Sequence, residues 1–140
     1  MNDLIQRIAN AIIRQEGMGL DHANPGNLRD CPWFPAVGPG MRYYPSDHSI
    51  EVAKVQYANG FWVPRSRSEG IAGAAHLVSL HIAQGNTLRD FIAGHPGVYA
   101  GFAPGADKND PATYIANVKL WANIPNADLP LWNYIMEPVS

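Results

Sequence analysis

The fold is decided close to the N-terminus by residues 3–16, which read DLIQRIANAIIRQE. Leu4, Ile8 and Ile12 recur every four residues, and further apolar side chains run beside them, as along one face of a helix. Gly17, which follows directly, is a typical stop signal. The pattern therefore predicts an amphipathic helix that ends at residue 16.

The next position on this apolar stripe, four residues after Ile12, is Glu16. Burial disfavours the charged form of a carboxylate, and so does the partial negative charge at the C-terminal end of a helix. A carboxyl group that keeps its proton near neutral pH suits general acid catalysis. Periodicity alone leaves two interpretations open: a buried acid, or a frayed helix end whose carboxylate points into water.

A loop and a small sheet are predicted after this helix. Residues 20–40 contain clustered proline and glycine and are expected to form an ordered loop. Residues 41–63 have strand character, and Asn59-Gly60 separates two short runs, 55–58 and 61–63, in a typical hairpin signal.

Further helices are predicted in the second half of the chain. Ser66 and Glu69 have the spacing of a capping box before a helix that Gly85 ends. Thr87 opens a short helix, and Asp110-Pro111 opens another, because proline suits the first helical turn. The side chains expected to pack inward are Ile71, Ala74, Ala75, Val78 and Ile82, then Tyr114, Ile115, Val118 and Trp121 or Ala122, and finally Leu129, Leu131 and Trp132. The predicted fold class is α+β and mostly helical, with a small antiparallel sheet after the first helix.

Length and composition narrow the class of protein. The 140 residues fit one domain, residues 1–140. A net charge of −2, from 10 Lys+Arg against 12 Asp+Glu, argues against binding to nucleic acid. The single cysteine, Cys31, cannot form an internal disulfide. The N-terminus lacks the pattern of a signal peptide and no run is long enough to cross a membrane, so we expect a protein made in the cytoplasm without membrane insertion. We also expect a monomer.

The histidines show no motif for metal binding, so we expect solvated or packed imidazoles, no metal ion and no cofactor. They are His22, His48, His76, His81 and His95.

Several motifs together resemble a known family. Residues 8–17 and the turn NPGNLR at 24–29 are similar to phage and prophage (bacteriophage) proteins of the lysozyme-like superfamily, related to soluble lytic transglycosylases and goose-type lysozymes. The resemblance covers most of the chain, from residue 5 to residue 131. It continues in Ser68–Ala74, Gly85–Leu88, Ala103-Pro104, Asn109-Asp110 and Tyr114-Ile115.

This resemblance implies a lysozyme-like fold, in which the small sheet and the helices face each other across a sugar-binding cleft. It places the catalytic glutamate at the end of the first long helix, here Glu16, and a tyrosine facing it, here Tyr114. The matched turn would line the cleft floor, where its polar side chains hold the loop or bind sugar. The candidates for substrate binding are Asn24, Asn27, Arg29 and Asn109.

The chain departs from the family in two places. The stretch 31–54 is longer than in close relatives, and Gly17 stands where transglycosylases usually have serine. The aromatic side chains that could stack on sugar faces are Trp33, Phe34, Tyr43, Tyr44, Trp62 and Tyr99.

Glycoside cleavage needs a proton for the leaving oxygen and stabilisation of an oxocarbenium-like centre. Glu16 would supply the proton, and either a second carboxylate or the substrate's own N-acetyl group would stabilise the cation. Asp30 directly follows the matched turn and is preferred among the candidate acids, which are Asp21, Asp30, Asp47, Glu51 and Glu69.

The expected function is cell wall lysis by a hydrolase of the glycosidase class, a muramidase or lytic transglycosylase that acts on peptidoglycan. Such an enzyme would reach the wall after release or delivery by a phage or secretion apparatus. Two alternatives stay open: a non-catalytic glycan-binding or virion structural protein on the same fold, and a chitinase-type glycosidase.

Overall fold

The computed structural model describes residues 3–17, 23–29, 51, 54–55, 58, 60–95, 101–102 and 110–135. This part of the chain is mostly helical. Its helices with defined bounds are α1 (Asp3–Gln15), α2 (Arg67–Ala83), α3 (Leu88–Ala93) and α4 (Pro111–Trp121), and a 3₁₀ helix (Leu131–Tyr134) follows them. Within these described ranges, no helix has both the length and the apolar character needed to cross a bilayer.

The helices begin where the capping residues of the sequence predict. The Thr87 side chain accepts a hydrogen bond from the Asp90 backbone N–H, and the Asp90 carboxylate accepts one from the Thr87 N–H, which completes a capping box at α3. Asp110 caps α4 in the same way through Thr113 N–H, with Pro111 in the first turn. These local bonds satisfy backbone donors that the first helical turn leaves without a partner.

The cap of α2 differs in one respect from the predicted capping box. The Ser66 hydroxyl accepts from the Glu69 backbone N–H at 3.2 Å, as expected. The Glu69 carboxylate, however, accepts from the backbone N–H of Arg65 at 3.0 Å and from the Arg65 Nε at 2.7 Å. The Glu69 carboxylate is therefore used in hydrogen bonds at the start of α2.

The predicted hairpin is wrong in its first strand. Glu51, Lys54, Val55 and Ala58 are helical. Phe61, in the second predicted strand, forms an isolated antiparallel bridge with Arg29, so it pairs with the NPGNLR turn. The helical content of the predicted fold class is confirmed, and the described residues of 51–63 replace the expected sheet with a helical segment and a bridge.

The chain forms two compact units. Met1–Ala11 and Leu77–Ser140 form the terminal unit, and Ile12–His76 form the central unit. The boundaries between the units fall inside α1 and inside α2.

A row of four rings crosses the core of the terminal unit. His81 stacks on Phe91 with ring centroids 4.2 Å apart, and Phe102 meets Phe91 and Tyr114 edge to face at 5.7 and 6.1 Å. The His81 ring is 3% exposed, and the side-chain amide of Asn86 lies 2.8 Å from its Nδ1. His81 is thus a packed histidine, which is one of the two environments expected from the sequence.

The predicted inner faces are confirmed in most positions. Ala74, Ala75, Val78, Ile82, Tyr114, Ile115, Val118, Ala122 and Leu131 are buried. Ile71 and Trp121 lie at intermediate exposure. Leu129 and Trp132 were available to pack inward but are exposed. For Trp132 the reason is that the short 3₁₀ helix turns only Leu131 into the core.

The central unit depends on one close approach of two backbone segments. The α carbon of Gly70, in the first turn of α2, lies against the carbonyl of Ala23, so that a Cβ built at residue 70 would be 1.8 Å from that oxygen. Only glycine fits here without moving the backbone. This contact sets the NPGNLR turn against the start of α2.

Replacing Gly70 with alanine should destabilise the protein, because the new methyl group overlaps the Ala23 carbonyl. Such overpacking costs about 3 kcal/mol, of which the higher helix propensity of alanine offsets about 1 kcal/mol. We expect the free energy of unfolding in urea to fall by about 2 kcal/mol. Gly26→Ala is the control, because its new Cβ would be 3.5 Å from the nearest atom, a Leu28 methyl carbon. Equal losses in the two variants would contradict this role of Gly70.

The burial of His81 predicts a loss of stability in acid. Burial disfavours the charged ring and lowers the pKa of His81 from 6.5 to about 4. The unfolded chain therefore binds this proton at a higher pH than the folded chain does. The stabilisation is complete above pH 6.5 and is lost as the pH falls toward 4, by about 3 kcal/mol at most.

Urea denaturation at a series of pH values measures this effect. His81→Asn, which cannot titrate in this range, should show a smaller fall in unfolding free energy between neutral pH and pH 4 than the wild type. His76→Gln, at an exposed position, should keep the wild-type slope. An unchanged slope in His81→Asn would show that other groups cause the acid sensitivity.

Candidate active site

Glu16 lies directly after the last residue of α1. Its backbone N–H still donates to the Ile12 carbonyl at 2.9 Å, so the residue keeps its place on the helical path. Gly17, with a φ of +63°, then ends the helix in the left-handed region that glycine adopts without strain. The Glu16 side chain is at intermediate exposure, which is less burial than its position on the apolar stripe predicts.

The segment Asn24–Leu28 forms a tight turn facing this helix end. The Asn27 N–H donates to the Asn24 carbonyl at 3.1 Å, which closes a four-residue β-turn. Pro25 occupies the second position, where its fixed φ is favourable. Asn27 has a φ of +50°, and asparagine is one of the few residues other than glycine that adopts this conformation readily.

Asn24 holds this turn together from inside. Its side chain is 2% exposed. Its Nδ2 donates to the carbonyls of Leu28 and Trp62 at 3.0 and 2.9 Å, and its Oδ1 accepts from the Leu28 N–H at 3.0 Å. Both amide hydrogens and the carbonyl oxygen are therefore used by the backbone. Of the two roles considered for Asn24, these contacts favour holding the loop.

Asn27 contacts the candidate acid directly. Its Nδ2 donates to Glu16 Oε2 at 3.0 Å across eleven residues of chain. An amide donor at this distance fixes the orientation of a carboxyl group. The structure thus brings together two residues that were proposed separately, one as the catalytic acid and one as a ligand of sugar.

Arg29 lies at the exposed end of the same turn. Its guanidinium carbon is 4.3 Å from the centroid of the Phe61 ring, a cation–π contact. The bridge between Arg29 and Phe61 and the hydrogen bond from Trp62 N–H to the Leu28 carbonyl at 3.0 Å hold the two segments side by side. A positive charge is therefore fixed two residues from Asn27.

None of the described carboxylates is established as a second catalytic group beside Glu16. Asp30, the preferred candidate, lies outside the described residues, as do Asp21 and Asp47. Glu51 is exposed on the helical segment, and Glu69 is bound to Arg65. Asn109, the remaining candidate for substrate binding, is also outside the described residues.

Two predicted site residues are buried in the structure. Tyr114 is 6% exposed, on the inner face of α4 in the terminal unit. Trp62 is 1% exposed, so its ring is not a surface on which a sugar can stack, which corrects that expectation. The other aromatic candidates, Trp33, Phe34, Tyr43, Tyr44 and Tyr99, lie outside the described residues. In the part of the chain that the structure describes, no group of His, Cys, Asp and Glu side chains is arranged to hold a metal ion.

Two residues of this region were not found from the sequence. Phe61 was assigned to a strand, and its contact with Arg29 spans thirty-two residues, for which no local pattern exists. Gly70 did carry a signal, because glycine in a helix is unfavourable and often marks a close approach of the backbone.

Comparison with known proteins adds no relative: no protein-family model, curated protein or solved structure matches the chain. The lysozyme-like resemblance therefore stays a prediction from the motifs.

The different roles of Asn24 and Asn27 can be separated by stability. Asn24→Ala leaves buried backbone groups of Leu28 and Trp62 without their partner, which should lower the free energy of unfolding by about 3 kcal/mol. Asn27→Gly keeps the positive φ and loses one part-buried hydrogen bond, so the loss should be at most about 1 kcal/mol. Urea denaturation of both variants measures the difference, and losses of similar size would contradict the assignment.

Proposed function

We propose that this protein is a glycoside-cleaving enzyme with a lysozyme-like fold that acts on bacterial peptidoglycan, with Glu16 as general acid and base. The observation that carries the proposal is the 3.0 Å hydrogen bond from Asn27 Nδ2 to Glu16 Oε2. It joins the end of α1 to the NPGNLR turn, the two segments on which the resemblance to phage muramidases and lytic transglycosylases chiefly rests.

The geometry suits an acid that must deliver a proton in a fixed direction. General acid catalysis requires the carboxyl group to be positioned before the substrate arrives. Asn27 provides that positioning, because it is itself fixed by the turn and by the buried Asn24 amide. Intermediate exposure of Glu16 allows a glycosidic oxygen to reach the carboxyl group.

The second catalytic group is proposed to be either Asp30, which lies outside the described residues, or the substrate's N-acetyl group. Glu69 is already bound to Arg65 and to the cap of α2, and Glu51 is exposed on a separate helical segment. An acetamido oxygen can stabilise the oxocarbenium-like centre while Glu16 first gives its proton to the leaving oxygen and then takes a proton from the attacking hydroxyl group. Attack by water then gives hydrolysis, and attack by the muramic acid hydroxyl gives an anhydro product.

Arg29 extends this proposal to binding of the substrate. Its guanidinium is exposed and is held over Phe61, beside the residue that orients the acid. Peptidoglycan carries carboxylates on its peptide stems, and a guanidinium is well suited to bind them. Delivery to the wall by a phage or secretion apparatus is part of the same proposal.

Glu16→Gln should abolish the release of fragments from purified peptidoglycan, because glutamine cannot give up or take up the proton. Soluble products are measured by mass spectrometry, in which anhydro ends identify a transglycosylase and reducing ends a hydrolase. A fully active and folded Glu16→Gln protein would contradict the assignment of Glu16 as the catalytic acid.

Two matched variants make this experiment specific. Asp3→Asn changes an exposed carboxylate at the other end of α1 and should keep wild-type activity. Asn27→Gly should lower kcat by about tenfold with little change in KM, since the acid is present but has lost the hydrogen bond from Asn27. Thermal unfolding of each variant checks the fold, and retained glycan binding without cleavage by the wild type would instead favour a binding protein.

A further inference from the structure

A groove of about 350 Å³ lies in the terminal unit, and none of its lining residues belongs to the proposed active site. Three elements line it: the start of α3 at Arg89, the exposed side of α4, and the segment Pro125–Asp128 that follows α4. This volume is at the lower end of the range for small-molecule sites. The groove is therefore large enough for a ligand of one or two residues.

The rim of the groove carries a net positive charge. Arg89 and Asp128 form a two-point ion pair, with Nε to Oδ1 at 2.6 Å and Nη2 to Oδ2 at 3.4 Å. This hydrogen bond lowers the pKa of Asp128, so the carboxylate is charged and is balanced by Arg89. Lys119 lies on the same rim and forms no ion pair with any residue of the described ranges. The positive charge of Lys119 is thus available to pair with a ligand.

The apolar wall of the groove and a second polar group, the Asn126 carboxamide, restrict the chemistry of the ligand further. The apolar lining consists of one isoleucine, Ile115, and three alanines, Ala112, Ala116 and Ala127, and the short alanines leave the space that larger residues would fill. Asn126 also lines the groove, and its Oδ1 accepts from the Asp128 N–H at 2.9 Å. That bond fixes the carboxamide and leaves its Nδ2 as the hydrogen-bond donor for an incoming carbonyl.

We propose that this groove binds the C-terminal end of a short peptide with small apolar side chains, with Lys119 pairing with its terminal carboxylate. Asn126 donates to the peptide carbonyl, and the alanine-lined wall accepts methyl-sized side chains. The Arg89–Asp128 pair holds the segment 125–128 against α3, together with the hydrogen bond from the Arg89 N–H to the Ala127 carbonyl at 3.1 Å. The site is therefore formed before the ligand arrives.

Titration of the ¹⁵N-labelled protein with the dipeptide alanylalanine, followed by NMR, tests the proposal. We expect the amide resonances of Lys119, Asn126 and Asp128 to shift in a saturable way. Alanylalanine amide, which lacks the terminal charge, should bind about tenfold more weakly. Equal affinity for the acid and the amide, or no shifts up to the solubility limit of the acid, would overturn the proposal.

Substitutions assign the binding to this groove. Lys119→Gln should weaken binding of the acid by about tenfold, and Ala116→Leu, which fills the groove from an exposed position on α4, should remove it. Lys54→Gln, an exposed lysine in the central unit, is the matched control and should bind as the wild type does. Undiminished binding by Lys119→Gln would refute the assignment. Glu16→Gln should also bind normally, so this result is separate from the test of glycan cleavage.

Discussion

The buried amide of Asn24 is the contact on which the candidate active site depends. Turns are normally held by backbone bonds and exposed side chains, but here one carboxamide donates to two carbonyls and accepts from one N–H inside the protein. A buried amide with all its hydrogen bonds made contributes to stability, and the same amide with a lost partner costs about 1–3 kcal/mol. The turn therefore has one well-defined conformation, and the segment at Trp62 is tied to it.

The rigid turn positions Glu16 through a short series of contacts. The turn holds Asn27 in the left-handed region, and that backbone conformation directs its side chain to the carboxylate at the end of α1. Gly70 supports the turn from the other side, because α2 can approach the Ala23 carbonyl only without a side chain at this position. Glu16 is thus oriented by Asn27 directly and by Asn24 and Gly70 through the turn, so a substitution at any of these three residues should affect the acid.

The sequence predicted what local physics determines and missed what distant contacts determine. The starts of α3 and α4 follow from Thr87, Asp90 and Asp110, whose capping bonds lie within three residues. The hairpin prediction was wrong because an Asn-Gly pair after a short apolar run is compatible with two local structures. A glycine at positive φ, as Gly60 is at +83°, serves a hairpin turn and also the end of a helix, and Ala58 is helical.

The same distinction between local and distant contacts applies to the residues of the candidate site. Glu16 and the turn were found from the stripe and the motif, whereas the loop-holding role of Asn24 depends on Trp62, thirty-eight residues away, which no periodicity encodes. Gly17 ends α1 at a φ of +63°. The Asn27 amide, which donates to the Glu16 carboxylate, neither gains nor loses a proton near neutral pH. Asn27 can orient Glu16 without competing for its proton, so in the proposed mechanism the proton that reaches the glycosidic oxygen comes from Glu16 itself.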